Sequence, residues 1–150
     1  MSEFSPTELN SVITLAVDLL SRPSVTPKDE GCQEKIGDQL AAVGFDIEHM
    51  RFGEVDNIWA RRGTESPLFV FLGHTDVVPV GDEAAWTSPP FEPTFDGTKL
   101  TARGAADMKG SVAAMIVAME KFADGHERYL PGTLILVVPL NRVLEGNQTS

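Results

Sequence analysis

Two stretches of the chain place residues capable of metal or proton chemistry beside apolar elements. The first, LFVFLGHTDVVPVGD over residues 68–82, closes an apolar run with His74 and Asp76, two residues apart. In extended backbone residues i and i+2 point to the same side, so the imidazole and the carboxylate share surroundings across Thr75. A metal-bound imidazole usually donates its second ring N–H to a carboxylate, which fixes the tautomer, and Asp76 suits that role. The carboxyl end of a strand is also where open α/β sheets place ligands. Taken alone, the pair also reads as a strand-end histidine whose polar atoms are simply satisfied. The second stretch, LTARGAADMKG over residues 100–110, sets Asp107 immediately before an apolar-periodic segment. There it either caps a helix, where unpaired N–H groups and the dipole favour negative charge, or uses its two oxygens to bridge metals roughly 3.5–4 Å apart, as in two-metal hydrolases. Gly104 and Gly110 would allow a tight turn and close packing.

These residues need elements to hold them. Ser5-Pro6-Thr7-Glu8 is a capping-box arrangement and predicts a helix over residues 6–21, with Val12, Ile13, Leu15, Ala16, Leu19 and Leu20 giving it one face to bury. Pro23 and Pro27 interrupt, and SVTPKDEG reads as a loop into a second helix carrying Ile36, Leu40 and Val43, with Gly44 placed to end it. Residues 45–50 and 57–62 read as strands joined at Gly53, and residues 68–72 as a continuous, buried apolar strand. Residues 78–97 are mostly loop, long enough to be functional. A third helix is expected over residues 108–122, with Val112, Met115, Ile116, Met119 and Phe122 inward, and a further buried strand over residues 134–138. Strands alternating with helices argue an α/β fold with a mixed, mostly parallel sheet flanked by helices.

Composition narrows the function classes. The 150 residues, 42% of them hydrophobic, suffice for one domain or a piece of one. Twelve Lys plus Arg against 22 Asp plus Glu give a formal charge of −10, which repels a phosphate backbone, so no nucleic-acid partner is expected. No run approaches the roughly 18 apolar residues of a membrane span, and MSEFSPTELN lacks the regions of a signal peptide, so the expectation is a cytoplasmic protein with no membrane partner. The single cysteine, Cys32, excludes an internal disulfide framework and is expected to be a packed or partly exposed thiol.

Taken in order, GHTDVVPVGD, AAWTSPPFEP and DGTKLTARGAADMKGSVAAM resemble the zinc-dependent aminoacylase and carboxypeptidase family over about residues 7–138. The resemblance implies the amino-terminal part of a catalytic domain with a mixed sheet between helices, and a centre of two zinc ions, or zinc and cobalt. It implies that His74 ligates one metal, Asp107 bridges both, and Asp76 is the acidic partner in the active site. SVTPKDEGCQ and WTSPPF bring the likeness nearest to members that hydrolyse N-succinyl-LL-2,6-diaminopimelate to succinate and LL-2,6-diaminopimelate in lysine and diaminopimelate biosynthesis. Members that deacetylate acetylornithine, and dipeptidases and general aminoacylases, share the motifs around the metal ligands and stand as alternatives. In this family the metals lower the pKa of a water and polarise the amide carbonyl, while a glutamate moves the proton.

The chain departs from the family at two places. Ala102 stands where the motif usually has glycine. More consequentially, the glutamate pair expected after the last strand, one a general base and one a metal ligand, falls on Arg142 and Val143. Arginine is a permanent cation and valine has no donor atom, so neither can serve. The expectation is therefore a family segment over residues 1–138 and a non-family tail over residues 139–150. Later strands and the smaller domain that relatives use for homodimerisation and closure over the small-molecule substrate are expected to be lacking, and with them activity. A non-catalytic fragment with weak metal binding is the alternative of a different class.

Overall fold

The computed structural model describes residues 6–125 and 132–138, so the Ser5 cap and the tail with Arg142 and Val143 lie outside the described residues. Helix α1 (Pro6–Leu20) and helix α2 (Cys32–Ala41) precede a hairpin of β1 (Asp46–Phe52) and β2 (Val55–Arg62). Strand β3 (Leu68–Leu72) follows, then a long connection containing the short pair β4 (Thr94–Phe95) and β5 (Leu100–Thr101), helix α3 (Gly110–Asp124) and strand β6 (Thr133–Val138). Expected and observed elements agree in type. Helix α2 stops before Val43, and Gly44 takes the left-handed conformation (φ +84°) that its position after the helix called for.

The main sheet runs in the order β1-β2-β6-β3. It is mixed, as expected, but β3 and β6 form the parallel pair while β1–β2 and β2–β6 are antiparallel, so the sheet is not mostly parallel. The correction has a local cause. The turn at Gly53 makes a hairpin of two strands that could otherwise have been separated by a crossover.

Core residues come from all three helices and one sheet face. Leu15, Leu19 and Leu20 of α1, Ile36 and Leu40 of α2, and Val112, Ile116 and Met119 of α3 meet Ile58, Ala60 and Leu136. Met115 is only half-buried and Phe122 is exposed, so two of the five residues expected inward on α3 are not; Ala113 and Ala123, too small to attract notice, are fully buried instead. The larger correction concerns β3. Expected to be buried, it leaves Leu68, Phe69, Val70 and Leu72 between 47% and 63% exposed. Phe71, in register with Leu136, faces the helices, whereas Leu68, Val70 and Leu72 lie on the opposite face, which no helix among the described residues covers.

Candidate functional site

The site forms where β3 ends and the 105–109 segment turns into α3. Gly73 permits the approach: a Cβ there would sit 2.9 Å from Val112 Cγ2 and 3.2 Å from Met108 Cε. Gly104 does the same on the other wall, with φ +86° and only 2.5 Å between an added Cβ and Val77 Cγ1. Both expected functions of Gly104, the turn and the close packing, are therefore present. Gly110, where α3 begins, would place a Cβ 2.6 Å from the Ala105 carbonyl oxygen.

Asp107 is not the cap of α3. Its backbone is non-helical (φ −134°, ψ 92°), the Asp107–Met108 peptide is cis, and α3 starts three residues later with Lys109 in the capping position and no side-chain cap. Its side chain, 89% exposed, instead reaches His74, with Oδ1 3.2 Å from Nε2. On the other side of the ring Nδ1 lies 3.0 Å from the Asp76 carbonyl oxygen and 3.4 Å from Asp76 Oδ1. The Asp76 side chain is only 2% exposed and accepts a hydrogen bond from the Thr26 hydroxyl through Oδ2. Thus His74, Asp76 and Asp107, singled out 33 residues apart in sequence, converge on one cavity of about 230 Å3 that Thr26, Ala102, Arg103 and Gly104 also line.

The geometry assigns the proton on His74. A carbonyl oxygen can only accept, so the contact places a hydrogen on Nδ1, while Nε2 faces a carboxylate oxygen. A proton on Nε2 or a shared cation would satisfy that contact at 3.2 Å. Zinc bonds near 2.1 Å at a tetrahedral angle would separate two ligand atoms by about 3.4 Å, so the pair lies near the spacing of two positions of such an ion. Among the described residues no group of three or more His, Cys, Asp or Glu side chains is arranged for a metal. His74 and Asp107 thus supply two donors and no third.

Behind the site, residues 24–29 lie along residues 75–77. Thr26 N–H donates to the Val77 carbonyl at 3.1 Å and Val77 N–H to the Ser24 carbonyl at 2.9 Å. Side chains repeat the pattern: Ser24 Oγ donates to the Thr75 carbonyl at 2.7 Å, and Thr75 Oγ1 to Asp29 Oδ1 at 3.1 Å. Burial pushes the Asp29 carboxyl up from its ordinary range, opposed by the hydrogen bonds from Gln33 N–H and Thr75. Lys109 is fully buried, and its ammonium donates to the carbonyls of Leu19 at 2.6 Å and Arg22 at 2.8 Å, tying the site segment to the end of α1. Desolvation lowers its pKa and raises that of the buried Cys32 thiol, the packed one of its two expected placements. On the outer wall the Arg103 guanidinium lies 4.9 Å over the Trp86 ring, while Trp86 Nε1 donates to the Val80 carbonyl at 3.0 Å. Sequence reasoning missed Thr26, Arg103 and Lys109. SVTPKD reads as a loop, and nothing local marks a lysine for burial.

A fold of three helices on a mixed sheet, with a histidine at a strand end 3.2 Å from a loop carboxylate, defines a class, and comparison with known proteins gives it a name. Residues 70–138 match the model of Peptidase family M20/M25/M40. Among curated relatives, the succinyl-diaminopimelate desuccinylase of Shewanella pealeana is 59% identical over 117 residues, covering 78% of this chain and 31% of the relative. That of Shewanella piezotolerans is 57% identical over 126 residues, covering 84% and 32%. The chain spans about a third of the length of these relatives. In fold it resembles human carnosine dipeptidase 1 (TM-score 0.74, 24% identity, 89% of this chain and 32% of that one). It likewise resembles the M20 family metallo-carboxypeptidase Sso-CP2 from Sulfolobus solfataricus (TM-score 0.69, 24% identity, 92% and 30%). No helix among the described residues is long and apolar enough to cross a membrane.

Proposed function

We propose that this chain supplies one half of a metal-dependent amide hydrolase centre, with His74 as a ligand of one ion, Asp107 as the carboxylate bridging two, and Asp76 as the acid that orients His74. The supporting observation is the 3.2 Å approach of His74 Nε2 and Asp107 Oδ1 while Nδ1 is engaged by Asp76. The reaction is hydrolysis of N-succinyl-LL-2,6-diaminopimelate to succinate and LL-2,6-diaminopimelate. That substrate is favoured by the identity of 57–59% to succinyl-diaminopimelate desuccinylases. The reading extends to two zinc ions per complete protein, cobalt being an alternative, to a homodimer, and to the cytoplasm as its location.

The bound metal supplies a water of lowered pKa and a polarised carbonyl. The chain's own residues do the rest of what this half can do. Asp76 holds the Nδ1 proton so that Nε2 stays a lone-pair donor, and the exposed Asp107 carboxylate leaves its second oxygen available. The proton-accepting glutamate of the family has no counterpart here, because Arg142 and Val143 stand at the expected pair of positions. The 150-residue chain therefore binds a divalent cation weakly and does not turn substrate over.

Cobalt(II) titration of the chain and of His74→Ala and Asp107→Ala, followed by succinate release from N-succinyl-LL-2,6-diaminopimelate, tests both parts. Weak binding lost in either variant, with no succinate above buffer, is expected. Binding indifferent to both substitutions, or turnover matching a full-length Shewanella enzyme, would refute the assignment.

A further inference from the structure

The SVTPKD stretch has no chemistry of its own in the proposed reaction, yet it is the most densely hydrogen-bonded neighbour of the His-Thr-Asp turn. Its backbone is paired to Val77 in both directions, Ser24 holds the Thr75 carbonyl and Asp29 holds the Thr75 hydroxyl. One member reaches the carboxylate that faces the imidazole: the Thr26 hydroxyl donates to Asp76 Oδ2. A carboxylate has two equivalent oxygens and turns about its Cβ–Cγ bond. Fixing Oδ2 leaves Oδ1 aimed at His74 Nδ1, at 3.4 Å. Asp76 is almost wholly buried, so water is a poor substitute for the missing donor if the hydroxyl is removed.

We infer that Thr26 is a positioning residue for the metal site: its hydroxyl locks the Asp76 carboxylate, which together with the Asp76 carbonyl fixes the ring orientation of His74. The inference extends the reading of His74 as a metal ligand and rests on it for its consequence, though not for the ring geometry itself. Thr26→Val preserves shape and removes the donor, whereas Thr26→Ser removes a methyl and keeps the donor.

The readout is the His74 ring in the metal-free 15N-histidine-labelled chain, observed by long-range 1H–15N correlation about two pH units above the ordinary imidazole pKa and assigned by its loss in His74→Ala. Wild type and Thr26→Ser should show the same pair of ring nitrogen shifts. In Thr26→Val both shifts should change, and cobalt(II) affinity should fall about tenfold, the range seen when groups that support a ligand are removed. Unchanged shifts and affinity in Thr26→Val overturn the inference. So does an equal loss in Thr26→Ser and Thr26→Val accompanied by a common drop in melting temperature, since that marks a packing role. If Thr26→Val moves the ring while His74→Ala leaves cobalt binding intact, the ligand reading fails and the positioning of the ring by Thr26 stands.

Discussion

The two ends of β3 behave as different materials. At its carboxyl end, residues 73–77 are pinned by glycine contacts, backbone pairing to residues 24–26 and the side chains of Ser24, Thr26 and Asp29. Along its length the same strand has one partner among the described residues, β6, and shows Leu68, Val70 and Leu72 to solvent. Both stretches come from one continuous apolar sequence. The lesson is that local order at a candidate site does not require the strand leading to it to be buried on both faces, because the site end is held by the helical layer and the preceding loop.

The comparison can be broken most sharply at the site. His74→Ala should lower cobalt(II) affinity by at least about 100-fold, because one of two protein donors disappears, while calorimetry on the apo chain shows little change in melting. Retained affinity would mean that the ordered end holds no metal.

Next in size is Gly104→Ala, which needs both a left-handed backbone and room that Val77 occupies. It should cost about 2 kcal/mol in urea unfolding. A variant as stable as wild type would show that the wall between Val77 and the 105–109 segment is soft.

The exposed end is tested by Val70→Lys and Leu72→Lys. Stability should stay within about 0.5 kcal/mol of wild type, as for other exposed positions, while self-association measured by sedimentation falls, since an apolar strand edge is a template for pairing. A large loss of stability would place these side chains in a core after all.

The smallest effect is pH dependence from Asp29. Burial holds its folded pKa above 3.8, so its contribution to stability is fully present below the unfolded value and is lost as pH rises through the folded one. Wild type should therefore exceed Asp29→Asn in melting temperature by more at acid pH than at neutral pH; a gap that widens toward neutrality contradicts the raised pKa.

The element types, the hairpin turn at Gly53, the helix stop at Gly44 and the pairing of His74 with Asp76 were legible from periodicity, glycine placement and the i to i+2 rule, all of which act over a few residues. The same reach allowed two readings of Asp107, and the wrong one was the cap. A carboxylate before an apolar-periodic segment looks like a cap until a kink at residues 107–108 turns it away. Burial of β3 was misjudged for the reverse reason: apolarity records what a strand tolerates, whereas exposure depends on which elements cover each face.

What the sequence by itself determined is the set of chemically capable residues and the motif order they share with the matched family. What only the tertiary structure decided is that His74 Nε2 and Asp107 Oδ1 stand at a cation's ligand spacing with Thr26 behind them. The physical reason is separation along the chain. Donors 33 and 50 residues apart are brought within hydrogen-bond reach by close packing at Gly73 and Gly104, and packing of that kind depends on three-dimensional shape that no local pattern encodes.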